Sequence, residues 1–273
     1  MEAKLLGPFV ARRNGTSILP NADKPRQVLA VLALNANTVV PVQLLIEELW
    51  GERPPRSTAT TLQTYVMQLR RRIGLTANQE GSPAPKDVLV TRHGGYLLAV
   101  PPDQVDVALF ERLVSSARAA AASADAGTAS RRYAEALALW RGNALVDVSV
   151  GRVLAPDVVR LNEARIGAIE GKVSADLRLG RHTELLSDLA ELTARHPMHE
   201  NLNAQFMIAL HRSGRTYDAL RTYQRLRETM VEELGLEPSS RMRCLHQAVL
   251  SAAPELELSG GAAGLDFEYA NQR

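Results

Sequence analysis

From Arg53 to Gln79 the chain carries five arginines and no carboxylate. Inside this window lies "TLQTYVMQLRRRIG", Thr61 to Gly74. On a 3.6-residue wheel it places Ala59, Leu62, Val66, Leu69 and Ile73 on one apolar stripe, at steps of three and four. The opposite and flanking faces carry Thr60, Thr61, Thr64, Tyr65, Gln68, Arg71 and Arg72. A solvated helix face ordinarily mixes both signs of charge. Hydroxyl, amide and guanidinium groups without acids are the groups that bind phosphate oxygens and read base edges in a major groove. Arg70, Arg71 and Arg72 also suit a plainer role in the last turn before Gly74, where cations meet the helix C-terminal dipole and glycine caps the end.

Catalytic constellations are missing. The chain has no Walker phosphate loop, no Gly-x-Gly-x-x-Gly followed by an acidic residue and no Gly-x-Ser-x-Gly elbow, so an enzyme is disfavoured and no cofactor is called for. His196 and His199 in "RHPMHE" are separated by a helix-breaking Pro197 and have no accompanying ligand cluster, which argues against a metal site. Glu47-Glu48 and Glu232-Glu233 read as solvated faces.

The elements that must position the basic helix follow from its neighbours. From Lys4 to Leu19, short apolar runs broken by Gly7-Pro8 and Asn14-Gly15 predict small strands, with Asn-Gly a hairpin signal. Apolar periodicity predicts one helix over Arg26–Leu34 and a second over Val42–Trp50. The paired prolines of "GERPPRS", Gly51 to Ser57, then impose a rigid exposed loop. After the basic helix, "TANQEGSPAPKD" (76–87) is a polar linker, and "VLVTRHGGYLLAV" (88–100) reads as strand, Gly-Gly turn, strand. Two helices, a rigid loop, a third helix and a basic hairpin together describe a winged helix-turn-helix, in which the third helix enters the major groove and the wing reaches a neighbouring groove or phosphate. Arg92 beside two glycines gives close approach to a nucleic-acid backbone. Trp50 reads either as a core aromatic or as an indole N–H donor to a phosphate, and Lys24 and Arg26 as surface charge.

Charge is divided along the chain. Residues 1–102 hold 12 basic against 7 acidic side chains and the rest 20 against 23, so the positive excess sits in the first hundred residues and points to an anionic partner there. Apolar residues make up 45% and aromatic residues 4% of the chain, so the core must be filled by Leu, Val, Ile and Ala, which suits packed helices. The one cysteine, Cys244, excludes an internal disulfide and favours a reducing compartment, hence the cytoplasm. No stretch approaches the roughly 20 apolar residues of a membrane helix.

From Val105 to about Ala252 the pattern is helical. "LGRHTELLSDLAEL" (179–192) aligns with "SGRTYDALRTYQRL" (213–226), placing Gly180 over Gly214 and Leu186 over Leu220 at a 34-residue spacing, the tetratricopeptide length. The expected organisation is mainly α: an α+β winged helix-turn-helix over 1–102, an all-α tetratricopeptide-like domain over 103–252 and a disordered tail over 253–273.

"LLIEELWGERPPRSTATTLQTYVMQLRRRIG" followed by "VLVTRHGGYLLAV" resembles the OmpR-type winged-helix domain of the Streptomyces antibiotic regulatory protein family. "FERLVSSARAA", "ALALWRGNAL" and "RLRETMVEELGLEPSSRMRCLHQAVL" resemble the bacterial transcriptional activation domain that follows it there. The resemblance implies an activator of an antibiotic or other secondary-metabolite gene cluster that binds tandem direct repeats in double-stranded DNA and recruits RNA polymerase holoenzyme, with a homodimer formed on DNA. It carries DNA contact onto Thr61, Tyr65, Gln68, Arg70, Arg71 and Arg92, and polymerase contact onto Gly51, Glu52, Arg53, Pro54, Pro55 and Arg56. A long linker before the wing departs from the family pattern, as does the lack of a receiver or nucleotide-binding domain, which makes this the small stand-alone form with a nucleoid-associated location. Two other readings of the residues stand beside it: a helical-repeat interaction protein docking nonspecifically on nucleic acid, and a repressor using the same DNA-binding domain.

Overall fold

The computed structural model describes residues 1–76 and 83–256; the middle of the polar linker and most of the tail lie outside the described residues. The chain forms two compact units, each assembled from two stretches of sequence. The first comprises Met1–Ser115 and Glu135–Ile166, the second Ser116–Ala134 and the chain from Gly167 onward.

The first unit opens with a three-stranded antiparallel sheet of β1 (Glu2–Lys4), β2 (Val10–Arg13) and β3 (Thr16–Ser17). Asn14 and Gly15 turn the β2–β3 hairpin with φ of 49° and 77°, the left-handed pair that Asn-Gly supplies at low steric cost. Helix α1 (Asp23–Leu34) begins three residues ahead of the apolar pattern, because its first turn is polar apart from the buried Pro25 and the continuous buried run extends only from Gln27 to Ala33. Strand β4 (Val40–Pro41) leads into α2 (Val42–Trp50), and α3 (Thr58–Leu75) packs on both α1 and α2. A single turn, α4 (Pro85–Val88), precedes the hairpin of β5 (Leu89–Arg92) and β6 (Gly95–Leu98), and the second sheet has the order β4-β6-β5.

Two expectations about glycine change. Gly74 does not cap α3: the helix runs through it to Leu75, and the free carbonyls are met instead by side chains. Thr76 Oγ1 donates to Ile73 O (2.8 Å), Arg13 Nη1 donates to the same oxygen (3.0 Å) and Asn14 Nδ2 donates to Thr76 O (2.9 Å). The wing turn is His93-Gly94 rather than Gly-Gly. Gly94 has φ 75°, whereas Gly95 pairs with Pro41 inside the sheet, where a Cβ would stand 2.3 Å from Val40 O.

The first unit also contains α5 (Asp106–Ala122) as far as Ser115, the end of α6 (Ala126–Leu137), the segment 138–153 and α7 (Leu154–Arg178) as far as Ile166. Three carboxylates stitch these stretches to the N-terminal elements. Asp106 accepts from Leu5 N (2.7 Å) and Leu6 N (3.0 Å), and Asp147 accepts from Phe9 N (2.6 Å). Glu48, read from sequence as a solvated residue, is only 4% exposed; it accepts from Gly151 N (2.6 Å) and Val153 N (2.9 Å) in the segment leading into α7 and from Leu154 N (3.0 Å), an orphan donor of the helix's first turn. Its neighbour Glu47 is exposed, as expected.

Among the described residues the second unit is helical throughout: the end of α5, most of α6, α7 from Gly167, then α8 (Leu186–Arg195), α9 (Glu200–Arg212), α10 (Thr216–Leu234) and α11 (Ser240–Leu250). Leu177, Leu189, Met207, Leu210, Tyr223, Leu226 and Leu245 share its core, and Leu256 is fully buried there as well, so packed chain extends beyond residue 252. The 34-residue sequence repeat corresponds to a repeated turn. Gly180 and Gly214 have φ of 76° and 75°, and each hairpin closes with the same bond, Arg181 N to Asp176 O (3.0 Å) and Arg215 N to Leu210 O (2.9 Å). A third hairpin, α5–α6, closes identically through Asp125 N to Ala120 O (3.0 Å), with Ala124 at φ 60° in the glycine position. Alanine at that turn and the insert before α7 hide this copy from a search for glycine at a fixed period.

Candidate nucleic-acid interface

Helix α3 is held from beneath by Leu62, Val66, Leu69 and Ile73, all buried; Ala59, assigned to the same stripe from sequence, is exposed at the end of the helix that leaves the core. The opposite side presents Thr60, Gln63, Thr64, Met67, Gln68 and Arg71 to solvent, spaced by three and four residues along one line. Over eleven residues that line extends about 16 Å, long enough to follow a major groove about 12 Å wide. No carboxylate occurs between Arg53 and Thr76.

The residues singled out from sequence fall into two groups. Thr60, Thr64, Gln68 and Arg71 are exposed on the line itself, and Arg71 has no hydrogen-bond or ion-pair partner among the described residues. Gln68, Arg71, Arg72 and Leu75 line an open groove at the C-terminal end of α3. Thr64 Oγ1 donates to Thr60 O (3.0 Å), which leaves its oxygen free to accept. The second group is spent on architecture. Arg70 donates from Nε (2.9 Å) and Nη2 (2.7 Å) to Leu89 O, and from Nη2 to Thr91 Oγ1 (2.8 Å), so its guanidinium fastens the wing strand to α3. Arg72 Nη1 donates to Leu19 O (2.9 Å) and ties the helix to the segment before α1. Thr61 and Tyr65 are half-buried on the flank.

Tyr65 belongs to a stack that sequence reasoning did not join. Its ring lies 6.5 Å from that of Trp50 at an interplanar angle of 18°, and Lys24 Nζ sits 4.6 Å from the Trp50 ring centroid. The half-buried Trp50 thus links α2 to α3 and holds a cation at the start of α1 by its π face. Arg26, read as surface charge, donates to Pro20 O (3.3 Å) and pairs with Asp147 Oδ2 (3.3 Å).

At the wing tip Arg92 and His93 are exposed, with Gly94 at positive φ removing any side chain from the turn. In the loop between α2 and α3, Glu52, Arg53, Pro54, Pro55 and Arg56 are exposed, and Gly51 enters the loop at φ 55°. Glu52 Oε1 pairs with Arg152 Nη2 (2.8 Å), and Arg53 and Arg56 have no ion-pair partner among the described residues. Gln63 and Met67 were missed from sequence; continuing the three-and-four count from Thr60 would have found them. Among the described residues no group of His, Cys, Asp and Glu could hold a metal ion, and no helix is long and apolar enough to cross a membrane.

The chain is similar over most of its length to known proteins. Residues 19–98 match the family of the transcriptional regulatory protein C-terminal domain, and residues 105–250 match the bacterial transcriptional activator domain. The chain is 53% identical to the regulatory protein DnrI of Streptomyces peucetius, over 95% of this chain and 96% of that one. It is 33% identical to the transcriptional regulator RedD of Streptomyces coelicolor, over 94% of this chain and 73% of that one. A solved structure of Mycobacterium tuberculosis EmbR, in complex with a low-affinity phosphopeptide, superposes with a TM-score of 0.88 at 31% identity, covering 96% of this chain and 68% of the other. These relatives are regulatory proteins, not enzymes.

Proposed function

This chain belongs to the Streptomyces antibiotic regulatory protein family of transcriptional regulators, and on that premise we propose that it is a sequence-specific activator of a secondary-metabolite gene cluster. It binds tandem direct repeats beside the promoter and recruits RNA polymerase holoenzyme. The observation that carries this reading is the line Thr60, Gln63, Thr64, Gln68 and Arg71: exposed, free of acids, and borne on a helix whose other side is locked into the fold. Groups of this kind donate to and accept from base edges, and an unpaired guanidinium neutralises phosphate.

In this reading residues 1–102 are the DNA-binding domain and 103–252 the activation domain. Thr60, Thr64, Gln68 and Arg71 meet DNA from α3, and Arg92 from the wing. Thr61, Tyr65, Trp50, Arg70 and Arg72 set the pose of those groups, with contact to the flanking phosphates as their secondary share. The Gly51–Arg56 loop touches polymerase, two copies sit side by side on adjacent repeats, and the protein works in the cytoplasm on the nucleoid.

Footprinting the full chain on regions upstream of neighbouring biosynthetic operons, followed by transcription in vitro with polymerase holoenzyme, tests the proposal. Protection of direct repeats together with raised transcript is the expected result. Binding that is equal on all sequences, or protection that lowers transcription, would overturn it.

A further inference from the structure

Met67 is 67% exposed in the middle of the α3 line, and its neighbours there, Gln63, Thr64, Gln68 and Arg71, are all polar. Among the described residues it is left in solvent, since the apolar stripe that α3 buries is made of Leu62, Val66, Leu69 and Ile73. A large thioether held in water at the centre of a face otherwise built from hydrogen-bonding groups calls for an apolar complement on whatever that face meets.

We propose that Met67 reads the 5-methyl group of a thymine in the major groove. The inference rests on α3 being the DNA-facing helix and adds what one of its residues recognises. Among the groups that base pairs expose in that groove, the thymine methyl is the apolar one; the others are hydrogen-bond donors and acceptors, to which a thioether offers no donor and only a weak acceptor. Phosphate is excluded for the same reason. The side chain is unbranched and polarisable, so it adapts to a methyl group whose position shifts with local DNA geometry.

The flanking residues fix the base pair further. Gln63 lies four residues before Met67 and Gln68 directly follows it, so carboxamides stand on both sides. Carboxamides pair in two-point fashion with adenine N6 and N7, and an A·T pair presents that adenine edge beside the thymine methyl. The centre of the α3 footprint is therefore an A·T pair or two adjacent ones. Leu75, 70% exposed, does not share this role: it ends the helix past Arg71 and Arg72, in a groove those cations suit to the sugar-phosphate backbone.

The test uses the full-length protein and a duplex carrying the site that the protein selects from random DNA, in which each thymine in turn is replaced by deoxyuridine, which lacks only the 5-methyl. One or two central replacements should weaken wild-type binding three- to fivefold, roughly the worth of one buried methyl. Met67→Ala should bind the thymine duplex as weakly as wild type binds the deoxyuridine one, and should no longer distinguish them. Met67→Gln, close in size but polar, should also be blind to the replacement. Uniform wild-type binding across every replacement overturns the proposal, whatever the variants do. So does a Met67→Ala protein that keeps the wild-type pattern, or one that loses only cooperativity between adjacent copies, which would seat Met67 on a neighbouring protein. If wild type selects no sequence at all, the DNA-binding reading itself fails, an outcome distinct from the others.

Discussion

Arg70 on α3 donates two hydrogen bonds to the carbonyl oxygen of Leu89, at 2.9 and 2.7 Å, so the helix that carries the exposed line and the strand that begins the wing are bound by one side chain. The helix that bears the exposed line and the wing hairpin are thereby held at a fixed separation by a residue that does not itself lie on that line.

Arg70→Ala should lower the thermal midpoint and weaken operator binding together, because it leaves a strand-end carbonyl short of its charged donors at a cost of about 1–3 kcal/mol. Arg70→Lys should recover little, since an ammonium cannot reproduce the two-pronged contact. Circular-dichroism melting and gel shifts on the same preparations check both. Unchanged melting with lost binding would instead make Arg70 a direct phosphate contact.

Arg71→Ala should leave melting unchanged, weaken binding to all sequences, and reduce the slope of log affinity against log salt by about 1, the signature of one lost phosphate contact. Gln68→Ala should do the reverse, altering which base is preferred at one position with the salt slope intact. Titrations at several salt concentrations against operator and scrambled duplexes separate the two, and neither variant affecting operator binding would remove α3 from the interface.

Glu48→Ala should destabilise the first unit by about 2 kcal/mol or more, because three backbone donors at and just before the start of α7 lose a buried charged acceptor. Glu48→Gln, with one carbonyl oxygen left, should fall between. Urea unfolding measures it, and a wild-type midpoint for Glu48→Ala would show that water replaces the carboxylate without cost.

Gly95→Ala should be worse tolerated than Gly94→Ala. At Gly95 a methyl group meets the Val40 carbonyl at 2.3 Å, so β6 must move away from β4; at Gly94 nothing lies within 4 Å and the cost is the positive φ alone, about 1–2 kcal/mol. Comparison of the two melting curves decides, and the opposite order would place the strain in the turn.

Pro54→Ala and Arg56→Ala should spare operator binding and lower transcript yield in vitro, since both residues are exposed outside the α3 line. Loss of binding and transcript in parallel would make the loop a support for α3 and not a polymerase contact.

Much of this was legible in the chain itself. Periodicity placed α2 and the buried stripe of α3, Asn14-Gly15 marked its hairpin, and the acid-free window located the face, because these depend on spacing and residue type within a few turns. The repeated glycines 180 and 214 betrayed two helical hairpins for the same reason: a left-handed turn favours a residue without a side chain. Local pattern could not say where a long side chain goes. Arg70, Arg71 and Arg72 are consecutive and chemically identical, yet the first reaches β5, the third reaches Leu19 and the second alone is left to solvent, because successive helical residues point about 100° apart toward different neighbours. Glu48 was likewise indistinguishable from Glu47 in sequence. Its burial depends on a helix start more than a hundred residues away, whose unpaired N–H groups require an acceptor that only the tertiary fold brings to them. The residue types and their period determined where an acid-free polar face lies on α3; packing decided which of its polar groups remain exposed.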